Sequence, residues 1–306
     1  MEFNKRQRIT ADFSLLIVAL IWGLTFSTVK IAIADMAPFT FVAIRFAIAF
    51  IFMALFCWKK LFRFRRRDWI PGIFVGIFLF SGYSFQTIGL QFTTVSNAGF
   101  ITGLSVVLVP LFYSILKRSF PSPLVLVGAA LAGCGIGLLC LNEGYIYNFG
   151  DILVLACAVS FALHIIAIGR YASQVDATVL ASIQIGTVAI LSAAAAFVFE
   201  PNTPIQFTKE VWIGLLTTAI PATSLAFFIQ SYMQKFTTPM HTAIILSMEP
   251  VFAGLFGYLL LNEVMGTRGL WGAALVLAGM ILSEIREIYS EKAAFNEITC
   301  DSSKTG

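Results

Sequence analysis

One carboxylate stands in the middle of a long apolar stretch. Phe236–Asn262 runs FTTPMHTAIILSMEPVFAGLFGYLLLN, and Glu249, followed by Pro250, is its single acidic residue. With Pro239 as the first helical residue, Glu249 falls about 15 Å along a helix. That depth is close to the middle of a bilayer's hydrocarbon core. A charged carboxylate there costs about 3 kcal/mol or more unless it faces protein, a partner or water. Pro250 removes a backbone donor and weakens the helix beside it. An ionisable group next to a weak point in a membrane helix can exchange a proton or hold a ligand. A structural carboxylate, paired inside a bundle, fits the same pattern.

Other residues could join such a site. Arg45 sits about 8 residues inside an apolar run, too deep to reach the surface easily. It could hold an anionic group, pair with Glu249, or lock helices together. Trp22 and Gly23 lie mid-span, where an indole can wall a cavity or simply pack. Gln86 and Gln230, with Tyr83 and Phe227 one turn earlier, could present amide and aromatic groups to a shared cavity. Asn97 is similar. Such amides also bond helix to helix, at about 1 kcal/mol each. His164 lies near mid-depth and could relay protons or hold a structural hydrogen bond. Lys30 lies near the outer end of its span, where it can snorkel or attract substrate, and His241 lies near the cytoplasmic mouth, where it could gate or shuttle protons or need no special role. Pro110, Pro221 and Pro250 are candidate kinks or gates. Gly72/Gly76, Gly99/Gly103 and the Gly133, Gly135, Gly137 cluster let helices approach closely.

Several chemistries are not encoded. No HExxH, GxSxG or phosphate-loop pattern occurs, so no catalytic residues are assigned. The two histidines are too far apart for a metal site. Cys57, Cys134, Cys140 and Cys157 lie in or beside apolar segments, Cys300 lies in the tail, and no CxxC pair appears. They read as small apolar residues. No cofactor or metal is expected.

The elements that must position these groups follow from composition. Of the 306 residues, 58% are hydrophobic and only 12% charged, with a mean hydropathy of +0.88. A soluble domain carries about 25% charged residues. The chain is an integral membrane protein. Ten spans are expected, near 13–33, 37–58, 69–90, 94–116, 122–141, 150–170, 177–199, 210–233, 239–261 and 268–285. Short polar connections separate them, among them Asn142-Glu143-Gly144. The first apolar run lacks a small-residue cleavage site and reads as a span. Lys5, Arg6, Arg8, the run Lys59–Arg67, Lys117, Arg118, Arg170, Lys235, Arg286, Lys292 and Lys304 all fall on one side. Only Lys30, Lys209 and Arg268 fall on the other. Basic loops stay in the cytoplasm, so both termini are expected there, in a multi-pass protein of the cell membrane. The run Lys59–Arg67 serves as a topology signal or a contact for anionic lipid headgroups. The net charge of +4 is thus no sign of nucleic acid. A small-molecule substrate and the bilayer are the expected partners, and a homodimer is left open.

The chain also repeats itself. Phe92-Thr93-Thr94 recurs as Phe236-Thr237-Thr238. In the same register Gln86 falls on Gln230, Gly128-Ala129-Ala130-Leu131 on Gly272-Ala273-Ala274-Leu275, and Gly135 on Gly279. Five spans per half is an odd number, so the halves must be inverted relative to each other. Secondary transporters are built this way. In this register Ser105 matches Glu249.

The motifs taken together resemble a family. They are Ala19-Leu20-Ile21-Trp22-Gly23, Ile44-Arg45-Phe46, Phe92 through Thr102, Met248-Glu249-Pro250-Val251-Phe252 through Leu261-Asn262-Glu263, and Gly272 through Gly279. Their order is similar to that of the ten-helix EamA-type branch of the drug/metabolite transporter superfamily. Phe161 departs from the pattern, where a Trp is frequent, as does Lys117-Arg118-Ser119, where a Gly-Glu ending is frequent. The resemblance implies a cavity lined by spans 1, 3, 4, 6, 8 and 9, and small metabolites such as amino acids or nucleosides, usually moved outward.

The expectation is an all-α integral membrane protein with ten transmembrane helices in two inverted five-helix repeats. Residues 1–145 form the first repeat and 146–286 the second, with 287–306 a polar, disordered cytoplasmic tail. The chain is expected to be no enzyme but a secondary-active exporter working by alternating access, with Glu249 coupling transport to protons. No nucleotide-binding domain is present to supply ATP drive. A carrier of lipid precursors or cationic drugs, with a cavity lined by aromatics plus Glu249, is the alternative within transport. A membrane scaffold or sensor is the alternative outside it.

Overall fold

The computed structural model describes residues 5–61, 66–118, 120–140, 148–237 and 239–282. Arg63, Arg65, Ser119, the Asn142–Gly144 connection, Thr238, Arg286 and the 287–306 tail with Cys300 lie outside these. Ten helices form the bundle among the described residues. They are α1 (Lys5–Ala32), α2 (Pro38–Leu61), α3 (Arg66–Gly89), α4 (Val95–Leu116), α5 (Pro123–Cys140), α6 (Phe149–Tyr171), α7 (Ala177–Phe199), α8 (Lys209–Met233), α9 (Pro239–Leu246 continued by Glu249–Leu261) and α10 (Thr267–Leu282). Among the described residues, seven are long and apolar enough to cross a membrane, and three apolar helical pieces are shorter. No strand occurs among the described residues. Large apolar side chains such as Leu55, Ile70, Ile190 and Phe197 stay exposed on the bundle's outside. Water would not tolerate such a surface, and lipid covers it.

Local chemistry starts the helices. Thr94 accepts from Asn97 N at 3.1 Å, Asn148 from Gly150 N at 2.8 Å, Asp176 from Thr178 N at 2.9 Å and Thr208 from Val211 N at 3.3 Å. Each satisfies an amide that the first turn leaves free.

Glycine then sets the distances between helices. A Cβ on Gly72 would lie 2.5 Å from Ile183 Cβ, and one on Gly76 2.6 Å from Thr187 Cβ, so α3 and α7 touch backbone to side chain. Gly99 and Gly103 meet Ala253 and Pro250 in the same way, joining α4 to α9. The triple cluster on α5 behaves differently from its expectation. Gly135 presses on α10, but a Cβ on Gly133 or Gly137 would meet nothing within 4 Å. Those two lie on the faces of α5 turned away from a neighbouring helix, because successive helical residues are rotated around the axis.

The repeat is visible in the backbone. α4 is interrupted at Leu104 and α9 at Ser247–Met248, the same register in each half. Each second segment is followed within two residues by one with left-handed backbone, Arg118 (φ 52°) and Asn262 (φ 53°), again in register. Between α5 and α10, Gly135 faces Gly272 and Gly279 faces Gly128. That pairing maps onto itself when the halves are exchanged. It is the signature of a two-fold axis, and the two five-helix repeats are inverted about it.

Candidate substrate cavity

A cavity of about 40 Å³ lies between the repeats. It has room for about three waters. Its wall comes from α1 (Trp22, Thr25), α3 (Leu79, Tyr83, Gln86), α4 (Thr102, Gly103, Ser105, Val106), α6 (Phe161, His164, Ile165), α8 (Phe227, Gln230) and α9 (Leu246, Glu249). These are the six spans expected to line it. Seven of the eight candidate binding residues meet here: Trp22, Tyr83, Gln86, His164, Phe227, Gln230 and Glu249. Asn97 does not. It sits near one end of the bundle, donating from Nδ2 to Leu139 O at 3.2 Å. It starts α4, and the cavity lies deeper along that helix. Thr25, Thr102, Ser105 and Phe161 were not singled out as binding residues. The repeat register pointed to Ser105, as the mate of Glu249.

The break in α9 is what presents Glu249. Met248 N closes a tight turn on Ile245 O at 3.3 Å, and a new helix begins at Glu249. Pro250 occupies its first turn, where a missing N–H costs nothing. The chain therefore breaks ahead of Pro250 rather than kinking around it. Glu249 thus stands at the positive end of a half-helix dipole. Among the described residues it has no hydrogen bond or ion pair, and its accessible surface is on the cavity. A Cβ on Gly23 would lie 2.4 Å from Phe252 Cβ and 3.0 Å from Glu249 O. Gly23 is what lets α1 close against this turn.

Arg45 does not pair with Glu249. Its Nε donates to Thr223 Oγ1 at 2.9 Å, its Nη2 to the Tyr83 hydroxyl at 3.3 Å, and its guanidinium lies 4.6 Å from the Tyr83 ring centre. It is 1% exposed and stands behind Tyr83, off the cavity wall. Residues Ile220–Leu225 of α8 form a π-helical segment containing Pro221. There Thr223 Oγ1 donates to Thr218 O at 2.8 Å, which leaves its lone pairs for Arg45. Trp22 Nε1 donates to Ala222 O at 2.8 Å in the same segment. π segments recur at functional sites because they free and re-aim backbone groups. Pro110 introduces no break. α4 is interrupted earlier, at Leu104, where Gly103 packs on Pro250.

The remaining wall is aromatic and amide. Trp22 and Phe227 have ring centres 5.3 Å apart, Tyr83 and Phe161 5.4 Å, His164 and Phe227 5.7 Å. Gln184 spends its Nε2 on Ser231 Oγ at 3.2 Å, so its Oε1 accepts from His164 Nε2 at 2.8 Å. That tautomer leaves His164 Nδ1 as an acceptor. Gln86 Nε2 donates to Thr102 Oγ1 at 3.4 Å. Gln230 is 1% exposed, and its Oε1 has no hydrogen-bond partner.

The bundle end that carries the 33–37 and 90–94 turns is fastened by two carboxylates. Glu263 accepts from Val95 N at 2.9 Å and from Ser96 N and Oγ at 3.0 Å, with Lys30 Nζ 3.8 Å away. Glu200 accepts from Phe39 N and Thr40 N at 2.8 Å and from Thr40 Oγ1 at 2.7 Å. Both tie a helix start in the first repeat to a helix end in the second. Lys30 donates to Thr93 O and so does more than snorkel. Glu263 was visible as part of a motif, but nothing in its neighbours named the amides it would meet.

An inverted repeat around a central cavity is the architecture of secondary transporters. The chain belongs to the EamA-like transporter family, whose model matches residues 9–141 and again 148–284. It is 38% identical over 280 residues to an uncharacterized transporter of Archaeoglobus fulgidus, covering 92% of this chain and 87% of that one. It is 23% identical over 277 residues to the uncharacterized transporter YoaV of Bacillus subtilis, covering 87% and 94%. A solved crystal structure, 20% identical, superposes with a TM-score of 0.67 over 92% of this chain and 98% of its own, which shows a shared fold.

Proposed function

We propose that the protein is a secondary-active exporter of small metabolites, coupled to protons at Glu249. The observation that carries this is an unpartnered carboxylate, at a helix break, facing a cavity between inverted repeats. Proton and substrate compete for that one carboxylate. The halves rock about the pseudo-two-fold axis and expose the site to each side in turn. At about 40 Å³ the cavity is far below the roughly 300 Å³ of a ligand pocket, so substrate entry requires the halves to part. The fastened end supports a state closed on that side. The distribution of Lys and Arg supports a cytoplasmic basic end with both termini inside, in the cell membrane. Amino acids and nucleosides are the metabolites that the family resemblance suggests. A carrier of cationic drugs is the second reading, favoured by the aromatic lining around Glu249.

The test is an export screen. Cells express wild type or Glu249→Gln at equal membrane levels, and metabolites accumulating in the medium are profiled. A compound enriched by wild type alone supports both transport and the role of Glu249. Enrichment by both keeps the exporter and removes the proton site. Enrichment by neither, with no uptake into liposomes, removes the transport reading.

A further inference from the structure

We infer that the transported solute is a protonated amine: a small organic cation with at least one ammonium N–H and a flat or compact apolar body. The inference rests on the transport reading above and names the substrate class of the same cavity.

The wall's unspent polar atoms include three acceptors. Glu249 offers a carboxylate with no partner among the described residues, and Gln230 offers an orphaned Oε1 on a side chain only 1% exposed. His164 adds Nδ1, because its Nε2 proton is committed to Gln184. Two donors near them are already engaged. Trp22 Nε1 is held by Ala222 O, and Gln86 Nε2 by Thr102. A ligand that supplies N–H donors answers the Glu249 carboxylate first and brings donors to the Gln230 and His164 side of the same wall. Leaving these acceptors unmet inside a membrane protein is costly.

Charge points the same way. The wall holds one carboxylate and no lysine or arginine. Arg45 stands behind Tyr83 with its donors turned to Thr223 and the Tyr83 hydroxyl. A substrate carboxylate would meet Glu249 with no cation on the wall to receive it. An ammonium would meet a counter-ion and a wall that includes the rings of Trp22, Phe161 and Phe227, whose negative quadrupoles attract cations. The requirement for N–H separates this class from quaternary ammonium compounds, which satisfy the aromatics but leave the acceptors empty.

One carboxylate also fixes the stoichiometry. On one side the Glu249 O–H bond breaks and the proton leaves to water. The electron pair stays on the carboxylate, which then holds one ammonium. On the other side the ammonium departs and a proton re-forms the bond. One cation moves for one proton, so net charge transfer is zero.

The test uses full-length protein in nanodiscs and four probes sharing one ring: benzylammonium, benzyltrimethylammonium, phenylacetate and phenylalanine. Binding is read by thermal shift and tryptophan fluorescence near neutral pH. Benzylammonium is expected to bind saturably and about fivefold or more tighter than the quaternary probe. Glu249→Gln weakens it about tenfold or more, and Gln230→Leu about fivefold. Glu249→Asp retains part of the binding, which keeps the test decisive should Glu249→Gln fold poorly. Preference for phenylacetate or phenylalanine overturns the inference. So does benzylammonium binding that ignores Glu249, or its failure to bind. The transport reading is judged separately in proteoliposomes. Flux of another metabolite that benzylammonium does not inhibit leaves transport standing and removes the amine.

Discussion

α4 and α9 hold equivalent places in the two repeats and have diverged in what they do. Both break at the same register, and a left-handed residue follows each second segment in register. At the first residue after the break, α4 carries Ser105 and α9 carries Glu249. At the first residue of α4, by contrast, a carboxylate arrives from the other repeat, since Glu263 grips Val95 and Ser96. The residue in register with Glu263 is Ser119, not a carboxylate. One helix is anchored at its start, and the other carries the titratable group at its break. The two repeats share one frame and differ in which position carries a carboxylate.

The largest test of that difference is Glu249→Gln. Proton-driven flux in liposomes is expected to fall about a hundredfold and to lose its dependence on the pH gradient. Ser105→Ala, its counterpart, should cost far less in the same assay. A comparable loss from both would mean that the halves share the chemistry.

Next in size are the close approaches that hold the frame. Gly135→Ala forces a Cβ to 2.6 Å from Gly272 O and 2.8 Å from Val276 N. It should cost about 1–3 kcal/mol in thermal unfolding. Gly133→Ala meets nothing and should gain about 0.5–1 kcal/mol from helix propensity alone. Equal melting shifts would break the assignment of the α5–α10 contact.

Glu263→Gln tests the anchor. It replaces charge-assisted hydrogen bonds to two backbone amides and removes the ion pair with Lys30. A cost of about 1–3 kcal/mol is expected. Thr25→Cys, on the cavity wall, should then react faster with a membrane-impermeant maleimide added at the fastened end. An unchanged labelling rate would show that Glu263 does not hold this end closed.

The smallest effect compares the two left-handed residues. Asparagine tolerates that backbone better than arginine. Arg118→Gly should therefore stabilise by about 0.5–1 kcal/mol, while Asn262→Gly changes little. Differential scanning fluorimetry of the two variants measures the contrast.

The sequence alone determined the membrane class, the ten spans, the inverted repeat and seven of the sixteen residues that line the cavity. It could do so because a bilayer permits few architectures. Backbone groups must be satisfied within helices, apolar runs must match the hydrocarbon thickness, and a midplane carboxylate stands out against a lipid-compatible background. An odd number of spans per repeat then forces inversion. Partners across the bundle were not legible. Arg45 was a candidate mate for Glu249 but turned to Thr223, because a π-helical segment in α8 places that hydroxyl beside it. Asn97 looked like its fellow amides, but its depth along α4 put it outside the cavity. Gly133, Gly135 and Gly137 were indistinguishable by type, and only the neighbour on α10 separated them. Glu263 and Glu200 gave no local sign of the helix starts they cap. Spacing along one chain fixes which face of a helix a residue occupies. Which neighbour that face meets, and at what depth, is set by ten helices packing together.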